Sequence, residues 1–244
     1  MPKIRLSNGT CYRYKTKPIF LGVKQINKEI ALENLRDVKK VLERRRVAFQ
    51  LTFGTLLGAI RENDFITHDE DIDLLVMDED RLRFLDALPE LKELGFEVAR
   101  YDRGGLLSIY REEEYIDFYF FSKRSDGTRY CRGAIFPREM IERTKDYNFK
   151  GLDVKVPIEY LTYLRYVFGE DWQTPIVWNN YKISKLKRIL LSIKTIVKEW
   201  LPYGLYVYLT RPAELRAVRK YEKRLEKYKE KYSFGFSNEG AVAD

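Results

Sequence analysis

Residues 65–76 read FITHDEDIDLLV: four acids, Asp69, Glu70, Asp71 and Asp73, fall within five positions, and the apolar run Leu74-Leu75-Val76 follows at once. Carboxylates this close repel one another and resist removal from water. A chain that leads them straight into a core either solvates them in a turn or binds something positive between them. In a strand, residues two apart share a face. If Asp71 and Asp73 open a strand that continues through 72–77, their carboxylates stand side by side while Ile72 points away. That arrangement suits a hard divalent cation held through oxygen, Mg²⁺ or Mn²⁺. Asp69 is then a further ligand or the holder of a bound water. An EF-hand calcium loop is excluded, because the sixth position from Asp69 is Leu74 rather than Gly and the twelfth is Asp80 rather than Glu.

A third acid stands in YIDFYFF (115–121), where Ile116, Phe118 and Phe120 alternate with Tyr115, Asp117, Tyr119 and Phe121. An acid inside such a strand costs several kcal/mol unless it is paired or metal-bound. Asp117 can join Asp71 and Asp73 if the two strands are neighbours, and three carboxylates around one or two Mg²⁺ ions make a phosphoryl-transfer site. Upstream, FGTLLGAIR (53–61) places Gly54-Thr55 at a strand-to-helix turn. Gly54 permits close backbone approach, and the Thr55 hydroxyl and the free N–H groups of a helix start can bind phosphate oxygens. Arg61, about two turns on, can neutralise further charge.

Together these pieces form a known pattern: a GT turn after a strand, a DxD opening the next strand, and a lone Asp on a later one. They resemble the nucleotidyltransferase fold. The longer run GTLLGAIRENDFITHDEDIDLLV (54–76), followed by YIDFYFF and by FKGLDVKVPIEYLTYLRYVFGEDWQTP (149–175), resembles the LicD/fukutin family over roughly residues 48–176. The resemblance implies transfer of a phospho-alcohol group, such as phosphocholine or ribitol phosphate, from a CDP-activated donor with Mg²⁺ or Mn²⁺. The acceptor would be a glycan or lipid-linked glycan hydroxyl, as in lipopolysaccharide or capsule assembly. In that scheme Asp71, Asp73 and Asp117 bind metal, Asp69 assists, Asp117 or Asp69 takes the acceptor proton, and Gly54, Thr55 and Arg61 hold phosphates. Two departures stand out. His68 occupies a position where the family commonly has Trp or another residue, and no cysteine cluster suggests the zinc finger of some animal relatives.

The rest of the chain fits one α/β (α+β) domain, a mixed nucleotidyltransferase-like sheet flanked by helices, with a helical appendage. Periodicity predicts a helix over 24–46, a strand over 47–53, a short helix over 56–61 and a helix over 79–94 with Leu82, Leu85, Leu88 and Leu91 on one face. It predicts strands at FEVARY, LLSIYR and YIDFYFF, a strand pair or bent strand at FKGLDVKVP, and a helix over 158–169. Residues 1–23 read as an irregular or extended arm, 24–176 as the catalytic domain, and 177–244 as the appendage. Tyr166 and Trp172 read as core, Asp64 as a turn residue, Glu70 as exposed and His68 as a pocket wall.

The net charge of +8 is concentrated, since residues 182–232 hold 15 Lys/Arg and 5 Asp/Glu. Ile183, Leu186, Ile189, Leu190, Ile193, Ile196, Val197 and Trp200 form an apolar helical stripe opposed by Lys185, Arg188, Lys194 and Lys198. Segment 183–200 either packs that stripe on the domain or lies peripherally on an anionic membrane. Pro202 and Gly204 are expected to end it, and a charged helix is expected over 212–232 with a stripe of Leu215, Val218, Leu225 and Tyr232. The final dozen residues read as loose. One histidine and two cysteines exclude a multi-imidazole zinc site, and the two cysteines, with no secretory or membrane-spanning pattern, imply a reducing, cytoplasmic setting. Two other activities share the motif. A DxD glycosyltransferase would release a nucleoside diphosphate. A nucleic-acid-directed nucleotidyltransferase would use the basic tail, but the acids interleaved in YEKRLEKYKEKY (221–232) read as a solvated face, so nucleic acid is not the expected partner.

Overall fold

A computed structural model describes residues 1–17, 24–102, 104–175 and 184–232. The expected domain boundary at 176–177, Ile183 and the last dozen residues lie outside the described residues. The start of the chain, expected as an irregular or extended arm, is extended and packed on the domain. Strands β1 (Lys3–Arg5) and β2 (Cys11–Arg13) pair antiparallel, and Ile4, Leu6 and Tyr14 are buried. Helix α1 (Lys28–Arg44) starts four residues later than the apolar pattern suggests, because the Asn27 side chain accepts the N–H groups of Glu29 and Ile30, both at 3.2 Å. Its Ala31, Leu35, Val38 and Leu42 are fully buried at helical spacing.

Strand β3 (Phe49–Leu51) is shorter than the expected 47–53, since helix α2 (Phe53–Arg61) begins directly after Thr52. There follow β4 (Asp71–Met77), a 3-10 turn, α3 (Arg81–Leu85) and α4 (Leu88–Glu93). The single helix expected over 79–94 is therefore two. Pro89 occupies the first turn of α4, where its missing N–H is harmless, and Leu82 is 59% exposed rather than on a shared face. Strands β5 (Glu97–Asp102), β6 (Leu106–Arg111) and β7 (Glu114–Lys123) match expectation. Strands β8 (Thr128–Cys131) and β9 (Ala134–Pro137) and helix α5 (Arg138–Glu142) do not figure in the periodicity. The hairpin β10 (Thr144–Phe149) and β11 (Leu152–Pro157), helix α6 (Tyr160–Phe168), α7 (Lys185–Trp200) and α8 (Tyr203–Tyr232) complete the described chain.

The main sheet has the order β3-β4-β7-β6-β5, with β8 added to β7 and β9 to β8. Only β4 and β7 run parallel; the other pairs are antiparallel. One face presents Ile72, Leu74 and Val76 of β4 and Ile116, Phe118 and Phe120 of β7, none more than 1% exposed. Helix α1 lies against it, and Phe84 of α3 meets Phe118 and Phe120 with ring centroids 4.4 and 5.2 Å away. Burying each such ring contributes about 1.5–3 kcal/mol. The opposite face carries the acids.

Helix α8 is longer than expected. Gly204 lies in its first turn and Pro212 inside it. The stripe it presents to the domain is tyrosine, not leucine: Tyr221 packs on Phe136 and Tyr166, and Tyr228 on Tyr166, at 5.7, 6.1 and 6.0 Å between centroids, while Leu215 is 44% exposed. Gly133, at φ 87°, lets the β8–β9 turn touch this helix, since a Cβ there would stand 2.5 Å from that of Ala217. No helix among the described residues is long and apolar enough to cross a membrane.

Candidate active site

Parallel pairing sets Asp73 directly opposite Asp117, with Asp71 opposite Tyr115. Alternation puts Asp71, Asp73 and Asp117 on one face of the sheet, as the DxD spacing and the apolar strand require. The row continues across the antiparallel neighbours, where Ser108 pairs with Asp117 and Arg100 with Ser108. A polar line, Arg100–Ser108–Asp117–Asp73, thus crosses four strands of an otherwise apolar sheet. Ser108 donates to Asp117 Oδ1, Arg100 donates to Asp117 Oδ2 at 2.7 Å, and the Arg100 Nε–H reaches Ser108 Oγ at 2.8 Å. Asp117 is 2% exposed and Asp73 7%. Asp117 therefore arrives where the sequence places it, but already paired with an internal cation that the sequence did not reveal.

Helix α2 locks onto the same acids. Thr52 ends β3 in extended backbone, and its hydroxyl hydrogen-bonds that of Tyr163. Gly54 and Thr55 lie in the first turn of α2 rather than in a preceding turn. The Gly54 N–H donates to Asp73 Oδ2 at 3.0 Å, and the Asp73 N–H donates to Thr55 Oγ1 at 2.8 Å. Thr55 is 1% exposed, so its hydroxyl, expected to meet phosphate, instead holds the start of β4 in place. Gly54 meets the expectation of close approach: a Cβ there would stand 2.5 Å from Asp69 Oδ2 and 3.3 Å from Asp73 Oδ2. No other residue leaves those carboxylates undisturbed.

The electrostatics are one-sided. Burial first, and then Asp73, Asp117 and Asp69, push the Asp71 carboxyl well above the usual range. Burial, Asp69 and Asp117 do the same to Asp73, with the Gly54 N–H and the Tyr119 hydroxyl pulling the other way. Asp69 is raised by burial, opposed by the Glu70 N–H and by His68. Burial works against the Arg100 charge, but Asp117, Tyr119 and Asp71 outweigh it and raise its pKa. One guanidinium does not balance four carboxylates, which leaves the cluster short of positive charge.

A divalent cation would answer that shortage, and the donor set fits one: hard carboxylate oxygens against a glycine backbone. Among the described residues no three His, Cys, Asp or Glu side chains form a ready metal cage. Mg²⁺ does not require one, because it retains waters and is commonly held by one or two carboxylates plus substrate phosphates. Asp71 and Asp73, the latter fixed through Oδ2 by the Gly54 N–H, are the pair suited to that role, whereas Ser108 and Arg100 take an oxygen of Asp117 each.

Gly54 and Asp69 open into a cleft of about 370 Å³ between α2, α6 and α8. Arg61, His68, Phe168, Trp172, Lys220 and Arg224 line it. Arg61 reaches the cleft wall, but it is held by Glu62 at 2.6 Å and by the Trp172 carbonyl at 3.5 Å. Tyr166 is core, donating to the Ile135 carbonyl at 2.6 Å, while Trp172 is 7% exposed and edges the cleft. Asp64 stands between Lys28 and Lys150, at 3.0 and 2.7 Å, and Glu70 is half-buried rather than exposed. Lys220 and Arg224 escaped the sequence reading, although their one-turn spacing on α8 puts them on one side of the helix.

The LicD/FKTN/FKRP nucleotidyltransferase domain model matches residues 46–159. The domain belongs to the LicD family. It contains the whole acid face: β3, α2, β4 and β7 with Asp69, Asp71, Asp73 and Asp117. The chain is 29% identical over 168 residues to the human ribitol-5-phosphate transferase FKTN, a match that covers 63% of this chain and 35% of that protein. It is 25% identical over 154 residues to the uncharacterized protein RT0683 of Rickettsia typhi, covering 61% and 46%. The chain thus spans less than half the length of either relative. Among solved structures, the lincosamide antibiotic adenylyltransferase LnuA aligns over 67% of this chain and 96% of its own at 14% identity, with a TM-score of 0.41. The fold class itself, a mixed sheet flanked by helices in a LicD nucleotidyltransferase domain, follows from the strand order and the family match.

Proposed function

We propose that this chain is a metal-dependent transferase that moves a phospho-alcohol group, phosphocholine, ribitol phosphate or a similar unit, from a CDP-activated donor to a glycan hydroxyl. The observation that carries the reading is the in-register Asp73–Asp117 pair with Asp71 on the same face, set against the Gly54 backbone beside a cleft whose wall brings Arg61, Lys220 and Arg224 together with Asp69, Glu70 and Asp171. FKTN, a ribitol-5-phosphate transferase, supports the substrate class. Bound Mg²⁺ or Mn²⁺ would neutralise the donor diphosphate and supply charge stabilisation as the leaving group departs. Asp71 and Asp73 would hold it, with Asp69 bearing a bound water.

The chain's own residues supply the rest. Gly54 and Thr55 fix Asp73, so its carboxylate does not reorganise during the reaction. Lys220, Arg224 and Arg61 receive the donor phosphates, and Phe168 and Trp172 give the nucleoside an apolar wall. Asp69, which opens into the cleft and whose carboxyl pKa is raised by burial, accepts the proton of the acceptor hydroxyl, while Asp117 stays paired with Ser108 and Arg100. The acceptor oxygen bonds to the phosphorus distal to the nucleoside, the bond from that phosphorus to the bridging oxygen breaks, and CMP leaves.

Calorimetry with CDP, CMP, UDP, GDP and ATP, in Mg²⁺ or in EDTA, tests the reading. Metal-dependent preference for cytidine nucleotides is expected and directs turnover assays to CDP-choline, CDP-ribitol and CDP-glycerol. Preference for UDP or GDP would replace it with sugar transfer, and absence of metal-dependent nucleotide binding would overturn it.

A further inference from the structure

Helix α7 is amphipathic, and the structure turns its apolar stripe outward. Leu186, Ile189, Leu190, Ile193, Val197 and Trp200 are between 38% and 68% exposed, and the one fully buried side chain on the helix is Ser192. What faces the domain is mostly polar, with Leu191 beside it. Glu199 accepts from the Thr16 hydroxyl and from the Tyr101 N–H at 3.0 Å, which fixes the helix against β5 with its apolar side away. The first turns of α8 continue the pattern. Tyr206 is buried and bonds Asp102, while Leu205, Tyr208 and Leu209 are 45%, 74% and 53% exposed.

A water-soluble protein rarely leaves a stripe of this size uncovered without a partner for it. The charge around the stripe selects the partner. Residues 184–213 hold six Lys/Arg and one Asp/Glu, and that single acid is Glu199, which points inward. Lys185 borders one side of the stripe, Lys187 and Lys194 the other, and Arg211 follows on α8. All four are exposed. Long cationic side chains beside an apolar face bury their stems and place their charge at headgroup level. A protein interface of this kind would be expected to carry acids as well as bases, and this one carries none.

We propose that α7 and the first turns of α8 form a docking surface for an anionic lipid bilayer, lying in the interface plane with Ile193, Val197 and Trp200 inserted and Lys185, Lys187 and Lys194 at the phosphates. The surface is separate from the acid face, so the inference stands independently of the reaction proposed above. It also separates the two readings that sequence alone left open for segment 183–200.

The test is sedimentation of the full chain with sonicated vesicles of phosphatidylcholine alone and of phosphatidylcholine with 30% phosphatidylglycerol (roughly the anionic content that gives a strong surface potential). Binding is expected to the anionic vesicles only, to weaken as salt is raised, and to fall by more than about tenfold in the double variant I193E/W200E. Both positions are more than half exposed, so circular dichroism and the melting temperature of that variant should match the parent. Equal binding to both vesicles, no binding at low salt, or binding unchanged by the double substitution would overturn the proposal. So would a parent that runs as a dimer and a double variant that runs as a monomer, since the stripe would then belong to a second copy.

Discussion

Gly54→Ala separates fold from chemistry more cleanly than removal of any acid. Gly54 lies in the first turn of α2 without the positive φ that would make alanine strained. Alanine is the better helix former by about 1 kcal/mol. The added methyl, however, meets Asp69 Oδ2 at 2.5 Å and Asp73 Oδ2 at 3.3 Å. Asp73 is tied by the Gly54 N–H and by Thr55, so Asp69, at the end of a side chain, must give way by about 0.7–1 Å to reach ordinary contact. That shift loses the hydrogen bond from the Glu70 N–H to Asp69 Oδ1, 3.1 Å long, at a cost of about 1 kcal/mol. Gain and loss nearly cancel, so the melting temperature in EDTA should stay within about 4 °C of the parent. Turnover should not survive as well, because a misplacement near 1 Å at a reacting centre costs on the order of a hundredfold. Mn²⁺ titration by calorimetry should show correspondingly weaker binding. An alanine variant with parental Mn²⁺ affinity and turnover would refute the role given to the undisturbed Asp69 and Asp73 carboxylates beside Gly54.

Three further outcomes follow from the same geometry. Asp73→Asn should fold and melt in EDTA at or above the parental temperature, because burial and neighbouring carboxylates disfavour the Asp73 charge, yet lose roughly a hundredfold or more in turnover; near-parental turnover would sink its role. Arg100→Met strands Asp117, only 2% exposed, without its cation, and should cost about 3–5 kcal/mol in urea denaturation, with Arg100→Lys recovering part; a loss under about 1 kcal/mol would show that Ser108 alone suffices. Glu79 is held down to about 2 by hydrogen bonds from Arg129 and Lys123, against an ordinary value of 4.5. A lowered folded-state value means that its stabilisation is full above pH 4.5 and is lost as pH falls toward 2, so Glu79→Gln should be less stable than the parent at pH 6 and indistinguishable near pH 2. An equal gap at both pH values would contradict the pairing.

The acid face was legible because its signals are local and physically costly. Asp71 and Asp73 sit two apart at the mouth of an apolar strand, and Asp117 interrupts an aromatic one. Each demands a partner; strand periodicity gives Asp71 and Asp73 a common side, and the β4–β7 register adds Asp117 to it. Their partners were not legible. Arg100 in FEVARY has the look of an outward-facing strand residue, and only the β5–β6–β7 register shows that it neutralises Asp117. Thr55 carries a hydroxyl suited to phosphate, but whether a hydroxyl faces a ligand or its own backbone depends on the entry angle of α2, at whose start Thr52 bonds Tyr163, 111 residues away in the chain. Strands β8 and β9 lack alternation because both have mostly buried side chains. The helix expected over 79–94 divides because leucines at helical spacing do not report the tight turn between Asp86 and Leu88.

The helices beyond residue 176 show the limit most sharply. An amphipathic pattern establishes that a face exists, not what the face meets, and here the two long helices resolve it in opposite ways. In α8 the tyrosines, which the leucine stripe obscured, bind the helix to Phe136 and Tyr166 and carry Lys220 and Arg224 to the edge of the acid cleft. In α7 a half-buried glutamate is satisfied on the inner side by Thr16 and Tyr101, while six apolar side chains stay exposed. The segment that composition marks as an appendage thus supplies cations to the candidate active site through one helix and an uncovered apolar surface through the other.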